Sequence, residues 1–461
     1  MHIKLSSSKS VQLGALLCGC LSLGSALAQA LSLDALYQMA LDRDPSVKAE
    51  RASELASYER LVQAQAQRLP QVIFSQERQN NSLDMVGRQD IYLSANRTLL
   101  IRQPLYRPLV TDTVVQAAYN YEGALAQREN AERDLLSRLG TVVFEYLYAV
   151  EQLDFVRALE QATSTQVKAA EQALLAGSGV RTDIDEARAR LDAARVQVLQ
   201  VRLQIEASRR QVERLVGQTG LRLAPLTVED PWDTEPALAS LSELLAQADL
   251  RPQVRILQAR LQAARAEVSK AQSGYRPTLD ATARWIRSDG ENVFNPNGNY
   301  RDRQMGMVFN WPLFDGGATM AAEREALARV GEAEQRLQAL RDDLAVRVET
   351  QFRAVQEGRL RVTALRQALH SAQQALTSSQ RSFEAGYRTR LDVLNAEQAF
   401  QQARRDLVQG RFGYLLARIQ LSALVDNQPT ELLARQRWWF KLDADRAPAG
   451  SAPIAAAGSG F

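Results

Sequence analysis

The chain has almost none of the residues that carry covalent or metal chemistry. Its two cysteines are Cys18 and Cys20, and its two histidines are His2 and His370. If an amino-terminal signal is removed, no cysteine remains, and His370 is left inside a predicted helix. This argues against disulfides, Cys/His zinc sites, thiol chemistry and Ser-His triads. Because nucleotide-binding loops are lacking as well, the sequence predicts no enzyme, no catalytic or metal-binding residue and no cofactor.

The amino terminus has the features of a secretory signal. Lys4 and Lys9 provide a basic start, residues 11–23 are mainly apolar, and Ala26-Leu27-Ala28 is a suitable cleavage site. We therefore predict a signal peptide over residues 1–28. A second interpretation stays open, because Leu17-Cys18-Gly19-Cys20 loosely resembles a bacterial lipoprotein site that would acylate Cys20.

The remaining chain lacks both an excess of charge and a long apolar run. Without Lys4 and Lys9 it has 54 basic and 53 acidic residues, which argues against a nucleic-acid partner. No run of 18 consecutive apolar residues occurs, so no transmembrane helix is predicted. Entry into a membrane would therefore require strands closed into a barrel.

Proline is absent from two long stretches of equal length. Pro108 to Pro225 and Pro312 to Pro429 each span 117 positions, and each stretch has one strong break, at Gly177 or Gly386. Prolines 45 and 70 are spaced as prolines 252 and 277 are. The chain is therefore interpreted as an internal duplication of one structural unit, with an offset of about 209 residues.

The duplication predicts the following elements. The first repeat, residues 29–217, has a helix over 33–69, strands over 71–79 and 90–103, and long helices over 107–176 and 182–217. The second repeat, residues 250–425, has a helix over 250–276, strands over 278–288 and 303–312, and long helices over 316–385 and 390–425. Residues 218–249 form a linker and residues 426–461 a carboxy-terminal segment.

The last helix of each repeat has a heptad seam of small and apolar residues. The first seam comprises Ile184, Ala187, Leu191, Ala194, Val198, Val201, Ile205, Ser208, Val212 and Leu215. The second comprises Val393, Ala396, Phe400, Ala403, Leu407, Gly410, Tyr414, Ala417, Leu421 and Leu424. Helices of 65 to 70 residues would be about 100 Å long and must pack against neighbours along their length.

The predicted strands alternate apolar and polar residues, as lipid-facing barrel strands do. Ile91, Leu93, Leu99 and Ile101 share one face, with Arg97 as a flaw. Amphipathic hairpins lying on a soluble core are the alternative. Because four strands cannot close a barrel, a membrane protein would need several chains.

Three segments resemble the TolC family of outer-membrane export channels: Leu33 to Pro45, Phe309 to Gly317 and Glu384 to Ala396. The resemblance implies a mainly α chain with a transmembrane β part. Three chains would form a 12-stranded β-barrel, four strands from each, continued by a long periplasmic α-helical barrel. Residues 218–249 and the carboxy-terminal segment would contribute to a collar around its middle.

The function implied is a passive homotrimeric duct in the outer membrane of a Gram-negative bacterium. It would contact outer-membrane lipid, a periplasmic adaptor and an inner-membrane transporter of the ABC or RND type. The regular internal repeat resembles the type I secretion branch of the family and so favours protein secretion. Drug efflux is the other function considered. A periplasmic adaptor and a structural coiled-coil protein are the alternatives, but neither would need two hairpins that each follow paired strands.

The resemblance also implies roles for residues at the two helical turns. Arg388 of the second turn would clamp Thr182 and Asp183 of the first, with Phe383 where the family often has Tyr. Asp392 and Asn395 would form the constriction, although Asn395 replaces a family aspartate and so weakens cation selectivity. The adaptor would dock on Gly177, Ser178, Gly386 and Tyr387. The alternative is that Arg388 and Asp183 are ordinary solvated charges.

Overall fold

A computed structural model describes residues 33–219, 226–227, 238–290, 298–425 and 441–442. The predicted signal with Cys20, parts of the linker and most of the carboxy-terminal segment lie outside these residues. The helices are α1 (Leu33–Arg43), α2 (Pro45–Ala66), α3 (Pro108–Leu175), α4 (Arg181–Val216), α5 (Leu241–Asp249), α6 (Pro252–Gln272), α7 (Ala318–Glu384) and α8 (Arg390–Val425). The strands are β1 (Gln71–Met85), β2 (Arg88–Tyr106), β3 (Leu226–Thr227), β4 (Thr278–Asp289), β5 (Tyr300–Asn310) and β6 (Lys441–Leu442).

The single helix predicted over residues 33–69 is wrong, because the chain breaks at Asp44. Pro45 disfavours helical geometry at the residue before it, and Asp44 has an extended ψ of 122°. Its buried carboxylate accepts hydrogen bonds from the amides of Ser46, at 2.9 Å, and Val47, at 3.1 Å, and so caps α2. Burial acts to raise the pKa of Asp44, but a hydrogen bond from the Ser46 hydroxyl, the two amide bonds and the charge of Arg138 outweigh it and lower the pKa.

Four strands form one antiparallel sheet in the order β1-β2-β4-β5. The first hairpin is longer than predicted, because the polar residues from Gln79 onward continue the ladder as far as the pair Met85 and Arg88. Its two-residue turn contains Gly87, whose φ of 84° is readily adopted by glycine. The second hairpin pairs residues 278–288 with 300–310.

The register places the predicted apolar residues on one face of the sheet. Val72, Ile101, Ala283 and Met305 lie in one cross-strand row, and the neighbouring row holds Phe74, Leu99, Trp285 and Arg303. This apolar face is exposed in the single chain: Met305 is 78% accessible. Exposed apolar surface of this extent indicates a surface that is covered in the assembled protein.

The long helices pair as two hairpins, α3 with α4 and α7 with α8, and α3 also packs on α8. Helices α3 and α7 have 68 and 67 residues, so each is about 100 Å long at about 1.5 Å per residue. All the predicted residues of the first seam except Ile205 are fully buried. In the second seam the fully buried residues begin at Leu407, whereas those nearer the turn are partly exposed.

The main hydrophobic core lies around the middle of the hairpins, where α1 and α5 pack on the long helices. Helix α5 lies within the stretch predicted only as a linker. It begins with a capping box between Ser240 and Glu243 and buries Leu244 and Ala248. The short strands β3 and β6 pair with each other, which brings the linker and the carboxy-terminal segment together.

Within the described residues, no helix combines the length and the apolar character needed to cross a membrane.

Candidate functional site: the two helical turns

The two helical turns have the same backbone structure. Each long helix ends with a glycine in the left-handed region, Gly177 at φ 74° and Gly386 at φ 80°. The amide of the following residue bonds back to the third-last helical carbonyl, Ser178 to Ala173 at 3.0 Å and Tyr387 to Ser382 at 2.8 Å. The glycine amides make the shorter return bond, which completes a Schellman motif in both copies.

The second turn is further fixed by a reciprocal cap. The Asp392 carboxylate accepts the Thr389 amide at 2.9 Å and the Thr389 hydroxyl at 2.7 Å, while the Asp392 amide donates to that hydroxyl at 3.2 Å. These bonds, with the charge of Arg388, hold the pKa of Asp392 below its ordinary value. The carboxylate is therefore ionised at neutral pH, as a selectivity ring would require.

The first turn lacks this cap. The residue equivalent to Thr389 is Val180, which has no side-chain hydrogen bond to the helix start. Thr182 and Asp183 are exposed at the first turn of α4, and among the described residues no side-chain partner of Asp183 occurs. The duplication has thus diverged, leaving a carboxylate at the first turn available for another partner.

Arg388 does not reach Thr182 or Asp183 within the chain. Its guanidinium donates instead to the hydroxyl of Ser379, at 3.1 Å, one turn before the end of α7. Ser379 is only 3% accessible, so the contact holds the arginine against the hairpin. The predicted clamp is therefore not formed inside one subunit.

The other predicted residues are placed as follows. Phe383 is partly exposed near the end of α7, and Tyr387 is 88% accessible at the second tip. At the first tip the Ser178 hydroxyl donates to the Ala173 carbonyl at 3.2 Å. Asn395 is exposed and lines a groove between α3 and α8 together with Thr163.

Comparison with known proteins decides the family. The sequence profile of the family described as "Outer membrane efflux protein" matches residues 36–218 and 242–427, which covers both repeats. The chain belongs to the outer membrane efflux protein family. Its resemblance to TolC is thereby confirmed, and the protein is an outer-membrane export channel with a periplasmic helical extension.

Two relatives of the efflux family show how far the similarity extends. Outer membrane protein TolC of Vibrio cholerae is 27% identical over 399 residues, covering 85% of this chain and 89% of the relative. The proteases secretion protein PrtF of Dickeya chrysanthemi is 26% identical over 441 residues, covering 91% and 94%. Both alignments span nearly the whole of each protein.

A solved structure shows the same fold. The outer membrane protein VceC of Vibrio cholerae superposes with a TM-score of 0.72 at 20% identity, covering 85% of this chain and 95% of VceC. At that identity the likeness establishes the fold alone.

One constellation in this family member was missed by sequence reasoning. Asp280 of β4 is buried and accepts two hydrogen bonds from Arg102, at 3.0 and 2.6 Å, and two from Arg107, at 2.9 and 2.7 Å. It joins the sheet to the residue that precedes α3. Asp280 is 178 positions from Arg102 and 173 from Arg107, so no local pattern indicates the contact.

The Thr389–Asp392 cap could have been found. Its T-x-x-D spacing just before a helix is a variant of the capping-box pattern.

Proposed function

We propose that this channel is a passive homotrimeric duct for type I protein secretion, closed at its periplasmic end by contacts between the helical turns of neighbouring subunits. The observation that carries the proposal is the exposed apolar face of a four-stranded sheet joined to two hairpins about 100 Å long. The matched relatives are channels, and we propose that this chain likewise performs no catalysis of its own.

The unpaired edges of the sheet support a barrel that several subunits form together. β1 and β5 are the outer strands, and the 15-residue β1 leaves a row of backbone donors and acceptors open on one side. A long open edge of this kind tends to pair with another strand. Joining β5 of one subunit to β1 of the next would give 12 strands from three chains and leave no free edge.

The edges of the helical part support the same arrangement. Since α4 packs on α3, α3 on α8 and α8 on α7, the outermost long helices are α4 and α7. Both carry exposed apolar residues, among them Leu203 at 71% and Leu360 at 72% accessibility. Contact between α4 of one subunit and α7 of the next would bury these residues.

The order of the long helices also determines which subunits contribute to the contact that closes the gate. Arg388 belongs to the hairpin that ends at one outer edge, whereas Thr182 and Asp183 begin the helix at the other. The clamp therefore forms between subunits: Arg388 leaves Ser379 and donates to Thr182 and Asp183 of the next chain. A guanidinium suits this role because its fork can grip a hydroxyl and a carboxylate together.

The constriction follows from the same turn. Three copies of Asp392, one from each subunit, provide a ring of ionised carboxylates, while Asn395 adds amides rather than a second charged ring. This arrangement favours cations, less strongly than six carboxylates would. The exposed tips at Gly177, Ser178, Gly386 and Tyr387 provide the surface on which the adaptor docks.

Protein cargo is favoured by the relative PrtF, which is named for protease secretion and is similar along nearly its whole length. Drug efflux is the second candidate, because the family whose profile matches both repeats is described by efflux. The adaptor and coiled-coil alternatives lack support, since the chain has two hairpins, each preceded by paired strands.

The experiment is reconstitution of the purified mature protein in planar lipid bilayers, with its mass measured in detergent. We expect a trimer with low, cation-selective conductance. A soluble, non-conducting monomer would contradict the proposal. Co-expression with an ABC transporter and adaptor that secrete a protease then tests the cargo, and failure to secrete alongside restored drug resistance would favour efflux.

A further inference from the structure

The apolar face of the sheet carries a row of arginines. Arg97 of β2, Arg287 of β4 and Arg301 of β5 are direct cross-strand neighbours in the ladder. Arg303 lies one row nearer the helices, opposite Trp285. Arg97, which interrupts the apolar face of β2, therefore belongs to a cationic row across three strands. This row together with the adjacent Arg303 is named here the arginine row: Arg97, Arg287, Arg301 and Arg303.

The arginine row borders a shallow groove of about 240 Å³ on the apolar face. Phe74, Leu99 and Trp285 line its apolar side. Ile286 and Asp302, a cross-strand pair on the opposite face of the strands, complete the lining, and the Asp302 carboxylate accepts a hydrogen bond from Gln304. The groove thus combines four guanidiniums and one carboxylate with an apolar side, as a site for a molecule with an anionic head and an apolar body would.

The charges of the row are not balanced within the sheet. Arg287 has one weak ion pair, with Asp289 at 3.5 Å, and in the described part of the chain Arg97, Arg301 and Arg303 have none. Like charges directly opposite each other on neighbouring strands destabilise a sheet. An external anion that contacts several guanidiniums would remove this repulsion and make charge-assisted, bidentate hydrogen bonds.

The position of the row indicates which anion. From Leu279 to Arg287 the strand advances eight residues, about 26 Å along its length at about 3.3 Å each. At the strand tilt of about 40° typical of barrels this rises about 20 Å, most of an apolar band about 25 Å tall. The row lies at the end of that band near the hairpin turns, away from the helices. Because the helices extend into the periplasm, this end faces the outer leaflet.

We propose that the arginine row binds the phosphate groups of a phosphorylated lipid of the outer leaflet, whose acyl chains lie along the apolar band below. This inference rests on the proposed function, because it requires the apolar face to contact lipid. The guanidiniums supply the phosphate contacts, and Trp285 takes the interfacial position typical of tryptophan in membrane proteins.

The test uses the full-length mature trimer, purified in detergent and incubated with bisphosphorylated lipid A. Lipid retained per trimer is measured by native mass spectrometry. We expect R287Q to lower the retained lipid A about tenfold. The matched control is R284Q, which removes the same charge from the same strand on the opposite face. It should retain lipid A like the unchanged protein.

Two further binding measurements identify the chemical group that is bound. Dephosphorylated lipid A should bind as weakly to the unchanged protein as lipid A does to R287Q, and inorganic phosphate should not compete at equal concentration. Equal retention by R287Q, an equal loss in R284Q, no effect of dephosphorylation, or full competition by free phosphate would each overturn the inference.

Planar-bilayer recordings separate this result from the proposed function. If R287Q and the unchanged protein both conduct as trimers and retain lipid A equally, the lipid site is refuted while the duct stands. If the unchanged protein neither inserts nor conducts, the duct is refuted, and the lipid site with it.

Discussion

At the scale of single residues, the two turns show that equivalent positions can serve different purposes. Asp392 is committed to capping α8 through Thr389, whereas Asp183 faces Val180 at the matching position and has no such partner among the described residues. Arg388 is held by one neutral hydroxyl, that of Ser379. A guanidinium bonds more strongly to a carboxylate than to a neutral hydroxyl, so in the proposed clamp Arg388 would exchange Ser379 for Asp183 of a neighbouring subunit.

We therefore predict that Arg388→Ala makes the closed channel leakier, because the closed state loses its contact between subunits. Closed-state conductance in planar bilayers should rise several-fold, and Asp183→Asn should act in the same direction. Ser379→Ala is the control, since it removes only the contact within the chain. Unchanged conductance in Arg388→Ala, or an equal rise in Ser379→Ala, would count against the clamp.

At the scale of elements, the junction between sheet and helices depends on one buried carboxylate. Asp280 pairs with both Arg102 at the end of β2 and Arg107 just before α3, and each guanidinium makes two hydrogen bonds to it. Removing a buried charge leaves its partners uncompensated, which costs more than the pair itself contributes. This contact fixes the direction in which the chain passes from β2 into α3.

We predict that Asp280→Asn destabilises the folded protein by about 2 kcal/mol, a figure reduced from that of a fully buried pair because both arginines are partly exposed. Thermal unfolding of the purified protein measures the effect. Asp289→Asn, which loses only an exposed pair of the same strand, should change the stability by less than about 0.5 kcal/mol. Equal midpoints for the two variants would refute the role of Asp280.

At the scale of the whole molecule, the described part of a single chain is an open structure with three uncovered surfaces. These are the apolar face of the sheet, the backbone edges of β1 and β5, and the apolar sides of α4 and α7. In the proposed trimer the last two are covered at once, because the rotation about the channel axis that pairs β5 with β1 of the next subunit also brings α4 against α7. Lipid covers the first.

Leu203→Asp should weaken the trimer by about 2 kcal/mol at each interface, because a leucine that is buried on assembly is replaced by a charge. Sedimentation or native mass spectrometry in detergent would show a larger monomer fraction. Gln204→Asp adds the same charge at an adjacent exposed position and should leave the trimer intact. If both variants remain equally trimeric, α4 does not form the interface.

Sequence alone was sufficient for the features that depend on local spacing. The duplication, the two glycine turns, the long helices and the buried seam from Ile184 to Leu215 follow from periodicity and from the positions of proline and glycine, since these depend on the backbone within a few residues. The family motifs then identified the channel. The break at Asp44 was available in the D-P pair, and the cap at Thr389 in its spacing, although neither was predicted.

Tertiary structure decided what depends on register and on the order of packed helices. Only the ladder shows that Arg97 lies beside Arg287 and Arg301, because a strand's sequence defines its face but not its neighbour across the sheet. The contact of Asp280 with its two arginines arises in the same way, because the pairing of β2 with β4 brings these distant segments together. The helix order α4-α3-α8-α7 likewise separates Arg388 from Asp183 within one chain, which is why we propose that their contact forms between subunits. Pairings between distant segments are set by the global arrangement of surfaces, which no local pattern contains.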